Sequence, residues 1–424
     1  MSSEPTSAAG ALPTGARLFA RVFLPFAFGY FLSYLFRTVN AVIAPQLVAD
    51  VGLDASLLGL LTAVYFFTFA AVQVPLGVVL DSLGPRRVEV ALLLVAAAGA
   101  ALFGIGESPW ALIVARGLIG VGVAACLMAA LKAMAEWYEA EKLPLMNGLL
   151  VAAGGLGAVM ATAPTKALVA ALGWRNGFEI LAVVTVVAAL LLWFIAPDRP
   201  RREPAGDMRS LLDGVRHVFV SRNFWIVAPV AAASQGAFLA IQTLWSGPWL
   251  RDVAGHDPDA VARVLLIAAV GFIVGNIASG SFAVWVARRG VPTPVVLLFG
   301  MGLFMLLQLL IIAGWTAHTG ILWFAFGFFG TTGILSFAVL TRTFPLALAG
   351  RASTAMNLLV FVAAFALQWG IGIVIDQWPT TAAGGYHPQG YQVAFGVIVV
   401  IQALAFVLLL YGHRRLLPHE SEGR

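Results

Sequence analysis

The sequence predicts an all-α membrane protein of twelve transmembrane helices arranged in two pseudo-symmetric six-helix halves. Three observations carry that expectation. Of 424 residues, 61% are hydrophobic and only 11% are charged, whereas a soluble domain is roughly 45–50% apolar and about 25% charged. The apolar residues gather in runs of about 20, the length that crosses roughly 30 Å of hydrocarbon at 1.5 Å per residue. A single long polar stretch, residues 197–224 with the segment PDRPRREP, divides the runs six and six.

Taken in order, the runs and their breakers place spans at about 18–47, 55–80, 88–106, 109–137, 143–170 and 174–196, then about 225–249, 260–286, 293–314, 320–344, 352–377 and 391–412. The organisation expected is a tail over 1–17, a half over 18–196, a linker over 197–224, a half over 225–412 and a tail over 413–424. Orientation follows from Lys and Arg beside the span ends. One side carries Arg17, Arg21, Arg86, Arg87, Lys142, the linker arginines, Arg288, Arg289, Arg342, Arg351, Arg414 and Arg415; the other carries only Lys166, Arg175, Arg251 and Arg263. Both termini and the linker are therefore expected in the cytoplasm, with the chain crossing a bacterial-type inner (plasma) membrane many times. The polar start runs into an apolar stretch too long for a cleavable signal, so the first helix is expected to remain.

Several classes are excluded. The net charge of +5 comes from short clusters between apolar runs, not from a continuous aromatic-interleaved basic patch, so nucleic acid is not an expected partner. The only cysteine, Cys126, can form neither an internal disulfide nor a thiolate metal cluster. All six histidines fall in or beside loops, which argues against an intramembrane histidine relay. No phosphate-cradling G-x-x-x-x-G-K-[ST] loop occurs, and neither a cofactor, a metal nor an enzymatic activity is expected.

After the second span comes Gly77-Val-Val-Leu-Asp81-Ser-Leu-Gly84-Pro-Arg86-Arg87. Small glycines let helix ends approach, and the Asp81 carboxylate can accept from a cationic side chain or a helix N-terminus. The corresponding place in the second half reads Gly280-Ser-Phe-Ala-Val284-Trp-Val-Ala-Arg288-Arg289-Gly290. It lacks the acid, yet two copies at matching positions indicate an internal repeat. Arg116-Gly-Leu-Ile-Gly120-Val-Gly122 and Trp174-Arg175-Asn-Gly-Phe178 complete the set. Together these resemble the G-x-x-x-D-x-x-G-x-R-R, R-x-x-x-G-x-G and W-R-x-x-F signatures of the major facilitator superfamily, over about residues 18–412. The resemblance implies a gating role for Gly77, Asp81, Gly84, Arg86 and Arg87.

The first span is the most informative segment. Tyr30, Ser33, Tyr34, Arg37 and Asn40 recur at spacings of three and four, so they form one polar stripe on one helix face. An Arg deep in a span costs roughly 2.5–3.5 kcal/mol on insertion scales and almost always faces a cavity or a partner; its planar fork suits carboxylate or phosphate. The segment from Phe28-Gly29-Tyr30 to Pro45 also resembles the first helix of the organophosphate:phosphate antiporters and anion:cation symporters, which implies that Arg37 holds the anionic group. Lys132, five residues before Trp137, stands where those families place a second basic residue. The seventh span departs from the phosphate antiporters: it offers Gln235 and Gln242, seven apart on one face, in place of a second Arg. A carboxylate-bearing solute then fits better than a phosphate dianion. Asn357 and Gln368, eleven apart, share a face of the eleventh span and join Tyr30, Tyr34, Lys132, Gln235 and Gln242 as candidate substrate contacts.

Acids inside the spans are scarce, leaving Glu136 and Glu179 as candidates for proton coupling, since a desolvated carboxyl can carry a proton. The expected function is secondary transport of a small organic anion, driven by protons, by rocking of two halves about a central cavity in a monomer. Rival readings are a carrier of zwitterions such as amino acids or dipeptides, a transport-like solute sensor, and an exporter of amphiphilic drugs.

Overall fold

The computed structural model describes residues 15–198, 208–382 and 384–412, and the described chain is helical throughout. The tails up to 14 and from 413, and the linker segment 199–207, lie outside the described residues. Eleven helices are long and apolar enough to cross a membrane, and a shorter apolar helix, Leu145–Met160, stands in the place of the fifth span.

In chain order the elements are α1 Gly15–Thr38, α2 Asn40–Val51, α3 Ala55–Leu83, α4 Pro85–Ile105, α5 Pro109–Gly122, α6 Cys126–Trp137, α7 Leu143–Met160 and α8 Ala163–Ile195. After the linker helix α9, Met208–Val220, come α10 Arg222–Asp252, α11 Pro258–Ala287, α12 Thr293–Ile312, α13 Thr319–Thr341, α14 Leu346–Ile375 and α15 Pro388–Gly412. Helix starts follow local chemistry. The Asp54 and Ser108 side chains accept from the Leu57 and Ala111 N–H groups at 2.7 and 3.2 Å, while Pro85 and Pro109 occupy first-turn positions whose N–H would otherwise lack a partner.

The structure departs from the sequence reading where spans are interrupted. The first expected span breaks at Val39, and the fourth breaks over 123–125. The border between the fifth and sixth spans, expected near 170–174, is a break at 161–162 followed by a sharp corner at Gly173, whose φ of 80° only a residue without a side chain adopts cheaply. The seventh span carries a π-segment at Ile241–Trp245 and the tenth a 3-10 segment at Thr331–Ile334. Hydropathy cannot register these interruptions, because the residues on either side remain apolar.

Motif residues act as ties. The Arg116 Nη1 group donates to the Phe36 carbonyl at 2.9 Å and the guanidinium sits over the Tyr65 ring. Trp174 Nε1 donates to Asp50 Oδ2 at 2.7 Å, and Arg175 Nη1 donates to the Gly106 carbonyl at 2.5 Å. Arg86 and Arg87 both reach Asp198 Oδ2, at 3.0 and 3.1 Å. Asp81 is ion-paired with Lys132 within the same half.

The two halves meet unevenly. One apolar cluster joins the first half to the second-half ends farthest from the termini, including Trp245, Trp249, Trp323, Phe361 and Tyr391. The ends nearer the termini, with Phe224, Val227, Met301, Leu340 and Met356, form a separate cluster. On the far side, the Ala55 and Ser56 N–H groups donate to the Asp376 carboxylate at 3.0 and 2.6 Å, and Lys166 pairs with Asp259. Side chains at Gly247 and Gly372 would collide with the Ala41 and Ala55 carbonyls, so the far-side seam is a close backbone approach.

Within the first half, a Cβ at Gly122 would run into the backbone of Ala96, whereas one at Gly117 would only touch the Thr68 methyl at 3.4 Å. Backbone cannot yield as a side chain does. Gly122→Val is expected to cost about 1–3 kcal/mol and to lower the thermal unfolding temperature of the purified protein. Gly117→Ala serves as the matched control, and equal unfolding temperatures for the two variants would contradict this packing.

Candidate functional site

Between the halves lies a cavity of about 440 Å³. Its polar lining comes from Tyr30, Ser33, Tyr34 and Arg37 on α1, Gln73 on α3, Gln235 on α10, and Ser353 and Asn357 on α14. The apolar walls include Phe69, Phe238, Phe272, Phe337 and Phe361. Two of the span interruptions reach it, through Val123 and Ala124 between α5 and α6 and through Ile334 in α13. Irregular backbone at membrane depth is tolerated where it is covered by protein or lines such a space.

Arg37 is the only charged side chain among the described lining residues. It is 7% exposed, and among the described residues no carboxylate forms an ion pair with it. Its guanidinium lies over the rings of Tyr34, Phe69 and Phe361, at 4.6, 5.4 and 5.4 Å from their centroids. Three ring faces supply part of the negative potential that a buried cation needs, and cation–π contacts strengthen when desolvated. They do not use the donors of the fork. The Nε group in particular has no hydrogen-bond partner.

The rings also close the cavity from both halves. Tyr34 packs against Phe272 at 5.7 Å and Phe69 against Phe361 at 4.4 Å. Tyr30 and Tyr34 meet edge to face at 5.2 Å, and Gly154 leaves room for both. The stripe on α1 therefore presents hydroxyls and a cation in one row, as a helical period requires.

Of the residues singled out in the sequence, Tyr30, Tyr34, Arg37, Gln235 and Asn357 come together in the cavity. Three do not. Lys132, expected to add a second cation, is tied to Asp81 away from the lining. Gln368, expected on the cavity face, is fully buried: its Nε2 donates to Thr243 Oγ1 at 3.0 Å, and its carbonyl accepts from Trp245 Nε1 at 2.9 Å. Gln242 lies in the π-segment of α10 and its carbonyl accepts from the Ser246 hydroxyl at 3.1 Å, away from the lining. The coupling candidates also lie elsewhere, Glu179 exposed on α8 and Glu136 half-buried near the end of α6.

Gln73 and Ser353 were not anticipated. Gln73 is buried, with Nε2 donating to the Ala124 carbonyl at 3.3 Å and Oε1 without a partner. Its signal in the sequence is a lone amide in the apolar run FAAVQVP. Asn40 continues the α1 stripe across the break at Val39, yet it lies outside the cavity with both side-chain polar atoms unpartnered.

The Probable sulfoacetate transporter SauU of Cupriavidus necator is 27% identical over 276 residues, 61% of this chain and 64% of that protein, so the chain spans just under two thirds of that relative. The hexuronate transporter of Escherichia coli K12 is 25% identical over 65% of this chain and 70% of its own length. The membrane sensor protein UhpC of Escherichia coli K12 is 22% identical over 90% of both chains. Among solved structures, an inward-facing bacterial homolog of the human lysosomal transporter Spinster superposes with a TM-score of 0.73 at 18% identity, over 95% of this chain and 98% of that one. The D-xylose-proton symporter gives 0.70 at 16% identity, over 93% and 97%. These two likenesses establish the shared fold. The sequence model of the Major Facilitator Superfamily matches residues 26–368, and with its motifs, its two six-helix halves and its central cavity, this multi-pass membrane protein belongs to that superfamily.

Proposed function

We propose that this chain moves a small hydroxylated monocarboxylate or sulfonate across the inner membrane by alternating access, coupled to protons. The observation that carries the reading is Arg37: one cation whose Nε donor is unused, facing a cavity whose other polar groups are neutral. An anion supplies what the aromatic cage does not, a bidentate acceptor for the fork. Tyr30, Tyr34, Gln73, Gln235 and Asn357 then serve hydroxyl groups on the remainder of the solute.

The lining also argues against rivals. A zwitterion would bring an ammonium group, and no acid stands among the described lining residues to receive it. A phosphate dianion would meet one cation only. The hexuronate transporter among the relatives fits a singly charged anion with hydroxyl groups, whereas sulfoacetate, named for another relative, carries two charges and shares with it only the anionic head. The far-side closure, with the second-half core divided nearer the termini, corresponds to the state open on the terminal side, which the Lys and Arg distribution assigns to the cytoplasm.

A sensor is the second reading, because the likeness to the membrane sensor protein UhpC extends over 90% of the chain. Uptake into proteoliposomes separates the two. A sensor binds solute without accumulating it.

Thermal stabilisation of the purified protein by D-glucuronate, L-galactonate and sulfoacetate, with D-glucose and dialanine as controls, is the direct test. Arg37→Ala is expected to fold and to lose the stabilisation. A hydrogen bond to a charged group is worth about 1.5–3 kcal/mol, so Arg37→Lys, which keeps the charge and loses the fork, is expected to weaken binding about tenfold or more. Wild-type affinity in the alanine variant would overturn the anion site.

A further expectation concerns the Asp81–Lys132 pair. As a latch it biases one conformation, so Asp81→Asn and Lys132→Ala should slow turnover to a similar degree, and the double variant should add little. Equilibrium affinity for D-glucuronate should hold within about twofold in both. Loss of affinity in Lys132→Ala alone would instead make Lys132 a ligand contact.

A further inference from the structure

Glu89 is the only acid among the described residues that is wholly withdrawn from its surroundings, with 0% exposure. It lies in α4, four residues after Pro85, or about 6 Å along the helix axis. No nitrogen or oxygen donor reaches either carboxyl oxygen. The group next to it is the Cys126 thiol of α6, a weak donor. Its other neighbour is Gly29 of α1, where a Cβ would overlap Oε1. A bare glycine thus makes the space that the carboxyl fills.

The charged and titratable groups on the elements around α4 give it no counter-ion. Arg37 on α1 is held among aromatic rings, and Arg116 on α5 donates to the Phe36 carbonyl. Asp81 of α3 and Lys132 of α6 are bound to each other. Lys166, Arg175 and Glu179 on α8 belong to the far end, where Glu179 packs on Gly104 and Arg175 on Gly106. Glu136 lies ten residues beyond Cys126, near the opposite end of α6. An ionised carboxylate in such a place has neither water nor a partner.

Two landmarks lie close to this acid. On one side, the next residues after Gly29 and Cys126, namely Tyr30 and Leu127 with Met128, line the central cavity. On the other, one helical turn leads to the Arg86 and Arg87 end of α4, where Arg87 is exposed. A carboxyl shut away from water and from ion-pair partners, between a substrate cavity and one face of the membrane, has what a proton carrier needs.

We propose that Glu89 is the residue that takes up and releases the co-transported proton. This rests on the proton-coupled reading above. The proton bound as the carboxylic acid crosses with the substrate and leaves to water on the terminal side, where the ionised carboxylate remains at the start of α4. Coupling to substrate runs through α1, which carries both Gly29, the lid over the carboxyl, and Arg37, the anion anchor. Displacement of α1 by a bound anion changes the packing over Glu89.

The experiment combines two readouts on the full-length protein. In proteoliposomes under an inward acid gradient, wild type is expected to accumulate D-glucuronate, and in Glu89→Gln the ratio of gradient-driven accumulation to counterflow is expected to fall at least tenfold, with partial recovery in Glu89→Asp. In infrared difference spectra of the purified protein, taken without substrate, a protonated-carboxyl band at neutral pH should vanish in Glu89→Gln and shift in Glu89→Asp. Undiminished gradient-driven accumulation in Glu89→Gln, or a protonated-carboxyl band identical in all three proteins, overturns the assignment while leaving proton coupling intact. Wild-type accumulation that ignores the pH gradient overturns the coupling itself, and the proton-carrying role with it.

Discussion

A cation without an ion-pair partner in the wall of the central cavity is the constraint around which the rest is arranged. Arg37 cannot be left in an apolar medium without compensation, and this structure compensates it with ring faces from three helices of both halves instead of with a carboxylate. A carboxylate would have neutralised the charge permanently and left nothing for a ligand to do. Aromatic rings hold it less completely. The site therefore keeps a standing affinity for anions, and because Phe361 belongs to the second half, the same cage joins the two halves at mid-depth.

How much of this was legible in the sequence depends on the physical signal each part leaves. The number and type of helices follow from hydropathy, which sums over about twenty residues and tolerates local error. The α1 stripe follows from helical period, and Tyr30, Tyr34 and Arg37 are together in the cavity because α1 runs without a break from Leu24 to Thr38. Period alone misplaces residues once a helix is interrupted or long. Gln235 and Gln242 share a face only in a regular helix, and the π-segment beginning at Ile241 turns the second away. Asn357 and Gln368 do share a face, but about 16 Å of axial rise separates them, which puts Gln368 in the closed far-side seam.

Gln73 and Glu89 escaped for opposite reasons. Gln73 is a lone amide without charge, and an amide in a span is more often a helix-to-helix tie than a ligand contact. Glu89 looks like the tail of the basic turn that precedes it, since an acid within one turn of Arg86-Arg87 resembles an ordinary membrane-water boundary. Its isolation is created by Gly29 and Cys126, residues far away in the chain. Only tertiary structure reveals that.

The division of the second-half interior into two apolar clusters has a mechanical meaning. A segment that swings must carry its packing along, or it exposes oil to water with every stroke. The terminal-side ends of α10 and α13 share a cluster of their own. α13 passes from one cluster to the other across its irregular segment, Thr331–Ile334, so flexing there bends a ladder of altered hydrogen bonds and leaves both clusters whole. α12, α14 and α15 cross the same border as uninterrupted helices, so α13 can give way at mid-depth while its neighbours stay stiff.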